Sequence, residues 1–287
     1  MFHGFKTTRI KTAGTEIHLR TGGAGPPLLL LHGYPQTHVI WHKIAPELAK
    51  HFTLILPDLR GYGDSGTPES DATHTPYAKR AMAQDMVEVM AALGFARFKL
   101  VGHDRGARVA HRLAQDHPKR VEKLAVLDIA PTLHMYETTD MRFASAYYHW
   151  FFLIQPKGYP EKLIGDDPAF YLRTKLGAWG RTGNAITPEA HAEYLRCFQK
   201  PEVIHATCED YRASAGIDLV HDRANTGKLP MPLLALWGAA GFVGSAYDVL
   251  ATWQAVAQDV RGHAVPGGHF LPEEAPAETL AALLDFL

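Results

Sequence analysis

The pentapeptide Gly102-His103-Asp104-Arg105-Gly106 joins a strand-like run, Phe98-Lys99-Leu100-Val101, to a helix-like run, Ala107-Arg108-Val109-Ala110-His111-Arg112-Leu113-Ala114. Small-x-nucleophile-x-small at a strand-to-helix junction is the pattern of a nucleophile elbow. The chain reverses so sharply there that bulky flanking side chains would collide, which is why both flanks are Gly. The central residue is Asp104. A carboxylate at that point suits displacement at a saturated carbon, because it yields an alkyl ester that water can later cleave. An elbow built around Ser would instead point to acyl transfer.

The rest of the chain fits a sheet that can present such a turn. Residues 6–21 read as a hairpin, with Arg9-Ile10-Lys11 and Ile17-His18-Leu19 on either side of a Gly-containing turn. Pro27-Leu28-Leu29-Leu30-Leu31, Phe52-Thr53-Leu54-Ile55-Leu56, Leu124-Ala125-Val126-Leu127 and Leu233-Leu234-Ala235-Leu236 are short apolar runs, as expected of strands covered on both faces. Helical periodicity runs over 79–93, and amphipathic helices are expected near 247–257 and 276–286. Strands alternating with helices predict a mostly parallel sheet flanked by helices. With the elbow, that pattern predicts an α/β-hydrolase fold. Between 131 and 229 the strand signal disappears and aromatics and helix formers dominate, broken by Pro156, Gly158, Pro160 and Gly165. The predicted organisation is a core at 1–130 and 230–287 with a helical cap inserted at 131–229.

Composition narrows the partners. A formal net charge of -1 over 287 residues provides no basic field for nucleic acid or an anionic membrane. The expected partner is a small anionic substrate, drawn in by local charge. No apolar stretch is long enough to span a bilayer, and the N-terminus lacks the features of a secretory signal. The two cysteines, Cys197 and Cys208, have neither disulfide-framework nor metal-ligand spacing. A cytoplasmic protein without metal or cofactor is the expectation. Gly61-Tyr62-Gly63-Asp64-Ser65-Gly66 matches a dinucleotide-binding fingerprint and follows a strand. Thr67-Pro68-Glu69-Ser70-Asp71 then continues as loop where that fingerprint needs a helix, so the motif reads as a turn.

An Asp nucleophile needs a base for the water that hydrolyses its ester. His269, in Pro266-Gly267-Gly268-His269-Phe270, follows the short strand-like Ala264-Val265 late in the chain, where this architecture places its histidine. The base needs an acid to fix its tautomer. Asp128 ends a buried apolar strand, a costly place for an unpaired acid; Asp248, in a surface helix, is the weaker choice. His32-Gly33-Tyr34-Pro35 resembles a His-Gly oxyanion turn, so the backbone amides of Tyr34 and Arg105 are the expected donors to the ester's tetrahedral intermediate. Arg105 and Arg108 share a face at the start of the elbow helix. Two cations there oppose the macrodipole and each other. That placement points to an anion held between them, and a carboxylate suits the guanidinium fork.

Four stretches together resemble fluoroacetate dehalogenases: Leu31-His32-Gly33-Tyr34-Pro35-Gln36-Thr37-His38, Asp58-Leu59-Arg60-Gly61-Tyr62-Gly63-Asp64-Ser65, Gly102-His103-Asp104-Arg105-Gly106-Ala107-Arg108 and Gly267-Gly268-His269-Phe270. Haloalkane dehalogenases and epoxide hydrolases usually carry Trp at the position of Arg105. Tyr34 stands where relatives have Phe, and Ala239 where an acid is frequent. The resemblance implies hydrolysis of fluoroacetate and chloroacetate to glycolate and halide. It also implies a halide pocket formed by His149, Trp150 and Tyr211, and a homodimer. Two other readings keep the fold: an epoxide hydrolase with cap tyrosines Tyr147, Tyr148 and Tyr211 as acids, and a catalytically silent binder of small acids.

Overall fold

The computed structural model describes residues 1–225 and 227–287. Its strands are β1 (Lys6–Lys11), β2 (Glu16–Gly22), β3 (Pro27–Leu31), β4 (Thr53–Pro57), β5 (Phe98–His103), β6 (Val121–Leu127), β7 (Leu233–Gly238) and β8 (Val260–Val265). They form one sheet in the order β1-β2-β4-β3-β5-β6-β7-β8. The β1–β2 hairpin is antiparallel and joins β4 antiparallel; from β4 to β8 every pairing is parallel. This is the α/β-hydrolase fold that the elbow and the apolar runs predict.

The helices before the elbow are α1 (Ala45–Leu48) and α2 (Lys79–Ala92), and the elbow opens α3 (Arg105–Asp116). Between β6 and β7 come α4 (Thr132–Glu137), α5 (Met141–Ala146), α6 (His149–Phe152), α7 (Tyr159–Asp166), α8 (Pro168–Trp179), α9 (Pro188–Phe198), α10 (Pro201–Ala215) and α11 (Ile217–Ala224). The last four are α12 (Phe242–Ala246), α13 (Val249–Gln254), α14 (Leu271–Glu274) and α15 (Pro276–Phe286).

The run of β3 is apolar because helices cover both faces of the sheet there: Leu28, Leu29, Leu30 and Leu31 are all fully buried, and β5 and β6 keep their charged residues, Lys99, Glu122 and Lys123, to their first halves. The edge strand β8 is different. It begins at Val260, four residues before the Ala264-Val265 pair that its sequence advertises, because an edge strand tolerates the exposed Arg261, His263 and Ala264. No helix follows directly on Gly61–Gly66, so that segment is a turn. Its neighbour Asp58 shows what the motif is for. Asp58 accepts hydrogen bonds from His18 Nδ1 at 2.9 Å, His38 Nδ1 at 2.7 Å, the His38 amide at 2.9 Å and the Asp64 amide at 3.1 Å. Both carboxylate oxygens are occupied in tying the β4 loop to β2, so this buried cluster is an anchor. Among the described residues, no helix is long and apolar enough to cross a membrane.

Candidate active site

Parallel strands deliver their C-terminal ends to one edge of the sheet, and ligands of open α/β sheets bind there. β5 ends at His103, and the next residue, Asp104, has φ 45 and ψ -117 before α3 begins. A non-glycine residue at positive φ is held there by its surroundings. The two flanking glycines allow the turn. A Cβ on Gly102 would lie 2.5 Å from the Ala107 Cα, and one on Gly106 would lie 2.3 Å from the His32 carbonyl oxygen.

The Tyr34 amide donates to Asp104 Oδ2 at 3.0 Å. Burial alone would raise the Asp104 carboxyl pKa; the positive fields of His269, His103, Arg108 and Arg105 outweigh it and hold the group below the usual carboxylate range. Asp104 is therefore ionised at neutral pH, with one oxygen pinned by a backbone donor.

Asp128 follows β6, itself at positive φ (52°). Its Oδ1 accepts from the Gly238 amide at 3.0 Å, and its Oδ2 pairs with His269 Nδ1 at 2.6 Å. This fixes the histidine tautomer and leaves Nε2 as the ring's remaining polar atom. Burial pulls the His269 pKa down, but the Asp128 bond and charge more than reverse it, so it lies above 6.5. Asp248, the weaker sequence candidate, is an exposed N-cap of α13 that accepts from the Ala251 amide. The structure thus brings Asp104, Asp128 and His269 to one edge of the sheet.

The arginine pair is buried, and its partners were only partly foreseeable. Arg105 donates through Nε and Nη2 to the Asp210 carboxylate at 2.9 and 2.6 Å, and through Nη2 to the Asp210 carbonyl and to Ser214 Oγ. Asp210 also pairs with Lys79. Arg108 donates through Nη1 to the Ala130 carbonyl at 3.2 Å and to Thr132 Oγ1 at 3.0 Å. Part of the anion that the sequence asks for is therefore the protein's own Asp210. Arg105 Nη1 and Arg108 Nε are buried without a hydrogen-bond partner.

Three aromatic residues from the helical insertion close over these groups. The Arg105 guanidinium lies 4.1 Å from the Tyr211 ring centroid, and that of Arg108 lies 4.7 Å from the Trp150 centroid. The ring centroids of His149 and Tyr211 are 5.5 Å apart, and those of Trp150 and Tyr211 6.4 Å. His149 stacks on Tyr34 at 6.2 Å with ring planes 3° apart. Burial, aided by Lys175 and Arg105, depresses the His149 pKa well below 6.5, so the imidazole is neutral, and its Nδ1 is buried without a partner. Tyr211 and Trp150 thus lie against the arginine pair, and His149 sits beside Tyr211.

Two further residues were not legible as site residues. Glu274 accepts four backbone amides: Gly268 at 2.9 Å and Phe270 at 2.8 Å, which flank His269, and Arg181 at 2.7 Å and Thr182 at 3.0 Å, which follow α8. The His269 amide also donates to the Trp179 carbonyl at 3.2 Å. The histidine loop and the end of α8 are therefore one hydrogen-bonded unit. Trp179 sits at its corner, its ring 4.6 Å from His149 and 5.6 Å from His269. The only sequence hint for Glu274 is its place in Pro272-Glu273-Glu274 just after His269; for Asp210 it is adjacency to Tyr211. A cavity of about 410 Å³ opens beside His269 and Asp128, walled by Tyr147, Tyr148, Lys175 and Trp179 among others. A depression of about 450 Å³ lined by His134, Asp140, Arg142 and Tyr247 contains none of these site residues.

A parallel sheet that delivers a strained acid and an acid-paired histidine to the same edge is how α/β-hydrolases are built, and the chain belongs to that family. The profile described as alpha/beta hydrolase fold matches residues 26–276. The chain is a hydrolase, and its relatives narrow the class. It is 44% identical to the fluoroacetate dehalogenase of Burkholderia sp, over 100% of this chain and 95% of that protein. It is 37% identical to the soluble epoxide hydrolase of Corynebacterium sp. (strain C12), over 95% and 94%. A crystal structure from Nostoc sp PCC 7120, of the same α/β-hydrolase class, is 61% identical with a TM-score of 0.99, covering 100% of this chain and 99% of that one.

Proposed function

We propose that the chain hydrolyses haloacetates, fluoroacetate and chloroacetate among them, to glycolate and halide through a covalent ester on Asp104. One observation carries this reading. Beside an ionised nucleophile, two buried guanidinium groups each keep an unpartnered N–H, Arg105 Nη1 and Arg108 Nε. A buried donor without a partner costs about 1–3 kcal/mol. A substrate carboxylate would satisfy both donors at once and bring its α-carbon to Asp104.

In this mechanism Asp104 Oδ2 stays with the Tyr34 amide while Oδ1 attacks the halogen-bearing carbon. The carbon–halogen bond breaks, and the halide leaves towards His149, Trp150 and Tyr211. Fluoride is a poor leaving group but a strong hydrogen-bond acceptor, so donors that meet it as the bond breaks lower the barrier. His269 Nε2 then takes a proton from water, which adds to the Asp104 carboxyl carbon. Negative charge develops on Oδ2, where the Tyr34 amide already points; the Arg105 amide is the second expected donor. Collapse breaks the bond between the Asp104 carboxyl carbon and the glycolate oxygen, which takes its proton from His269; the water's second proton is lost to solvent, and the Asp104 carboxylate is regenerated. The stretch 131–229 acts as a cap over the sheet edge, 1–130 with 230–287 forms the core, and the partner is a second copy of the chain in a homodimer.

The Corynebacterium relative supports a second reading, opening of epoxides by the same nucleophile. Tyr147 and Tyr211 are buried, and burial raises both phenol pKa values well above 10. They remain protonated but are weak acids towards an epoxide oxygen, and a neutral epoxide leaves the two arginine donors unpaired. A silent small-acid binder would have no use for the His269–Asp128 pair. Free fluoride released from fluoroacetate, read with a fluoride electrode, tests the reading. No fluoride or chloride from haloacetates, with turnover of a neutral epoxide, would replace it with the second.

A further inference from the structure

Lys175 lies on α8, one helical turn before Trp179 and on the same face. Its side chain is buried, with the residue only 2% exposed. Nζ lies 3.6 Å from the centroid of the Tyr148 ring and 5.4 Å from those of Tyr171 and Trp179. Among the described residues it has neither an acid nor a hydrogen-bond acceptor as partner. Three ring faces steady a cation, but they do not satisfy its N–H groups. A buried ammonium without a counter-ion is expensive to hold, and burial pushes the Lys175 pKa down to about 7.

The surroundings make this more than a packing feature. Lys175 lines the same cavity as His269 and Asp128, and Arg181 is a second cation in its wall. Asp128 is the one acid in that wall, and its two oxygens are taken by Gly238 and His269. Of the other titratable groups near the ammonium, His149 is neutral, and burial raises the Tyr148 and Tyr171 phenol pKa values above 10, so none of them supplies a negative charge. The cavity therefore has positive walls and no acid free to neutralise them. The proposed reaction admits one anion and expels two.

The geometry points to Lys175 as a specificity-determining cation at the mouth of the site, which meets the carboxylate of a small monocarboxylic substrate before the Arg105–Arg108 pair takes it. This rests on the haloacetate reading above. Lys175 acts on entry and touches no reacting atom. It selects for charge, where the halide pocket selects for the leaving group.

Two measurements test it. In kinetics, Lys175→Met lowers kcat/KM for chloroacetate about tenfold or more, in keeping with the effect of a focused charge on association. The loss sits in kcat/KM rather than kcat, shrinks as salt is added, is much smaller for chloroacetamide, and is largely restored in Lys175→Arg. Equal losses for charged and neutral substrates, or a loss confined to kcat, would overturn the proposal and leave Lys175 as support for the Trp179 wall. The second measurement needs neither turnover nor a folded Lys175 variant. The wild-type Lys175 resonance, recorded by NMR on protein with isotope-labelled lysines, is titrated with and without acetate. Bound acetate favours the ammonium and moves the titration upward by about one pH unit; an unmoved titration at saturating acetate overturns the proposal. A wild-type protein that releases no halide from any haloacetate would defeat the functional reading instead, with the acetate titration still deciding the anion site.

Discussion

Asp210 accepts the Nε and Nη2 edge of Arg105 at 2.9 and 2.6 Å, and so decides which part of that guanidinium remains for a substrate. The pair is fully buried, with Lys79 on the same carboxylate. Removing one partner of a buried ion pair typically destabilises by about 3–5 kcal/mol, because the other charge is left uncompensated. Asp210→Asn is therefore expected to lower unfolding free energy by an amount of that order and to raise KM for chloroacetate. Chemical denaturation and steady-state kinetics check the two parts. A variant with wild-type stability and wild-type KM would mean that Arg105 is oriented by something else.

The covalent step separates two variants. Asp104→Asn replaces the carboxylate by a far weaker nucleophile and abolishes halide release. His269→Asn permits displacement but not hydrolysis, so the ester accumulates. Mass spectrometry of the His269→Asn protein after exposure to chloroacetate shows the added mass of a carboxymethyl group on Asp104. Multiple-turnover activity at the wild-type rate in either variant is the contrary result.

Arg105→Lys and Arg108→Lys keep the charge and lose the planar fork, so both impair turnover of haloacetates. The informative comparison is with a haloacetamide, which has no carboxylate to read. Loss of activity concentrated on the charged substrate supports the clamp; equal loss on both would mean that the arginines serve the fold or the nucleophile alone.

The halide pocket predicts a difference between leaving groups. Bromide departs readily, whereas fluoride depends on donors. Trp150→Phe keeps most of the ring area and removes the indole N–H. Losing one such donor in a water-excluded site costs about 3 kcal/mol of transition-state stabilisation, a fall of about a hundredfold in defluorination. Bromoacetate should suffer much less, and Tyr211→Phe should follow the same direction. If kcat/KM for fluoro- and bromoacetate falls equally, these side chains shape the pocket without selecting fluoride.

The pH dependence follows from His269. Asp104 is held ionised to below the usual carboxylate range, so it does not set the limb near neutrality. His269 works as a base only when neutral, and its pKa is raised above 6.5 despite burial, by its bond to Asp128 and the nearby acid charges. Activity is expected to fall as pH drops through a value above 6.5, with Asp128→Asn moving that limb downward. The stability effect has the opposite sign. A raised folded-state pKa gives stabilisation that is complete below 6.5 and is lost as pH rises through the folded value. The His269–Asp128 pair thus stabilises the fold most where its base is protonated and idle. A kcat profile whose acidic limb lies at or below 6.5 would contradict this assignment.

Much of this was legible in the chain because it is local. Two glycines around Asp104, an apolar run before it and a helix pattern after it describe the elbow without reference to any distant residue. The strands β3 and β7 announce themselves because burial on both faces requires continuous apolar residues. β8 announces only its last two residues, because half of an edge strand faces water and its polar positions imitate a loop. Arg105 and Arg108 were legible as an anion-seeking pair, yet their partners were not: Asp210 is 105 residues away from Arg105 in sequence.

The sequence by itself determined the sheet, the strained acid between β5 and α3, and the histidine after the last strand, since each rests on residues that are neighbours along the chain. Tertiary structure decided which N–H groups the arginines keep free, that Glu274 ties the His269 loop to the end of α8, and that Lys175 faces a cavity with no free acid. Those outcomes depend on distances of a few ångströms and on desolvation, and both exist only once remote segments have packed. A charged residue reads the same in a sequence whether its partner is a carboxylate, an aromatic face or a substrate; the fold alone separates the three.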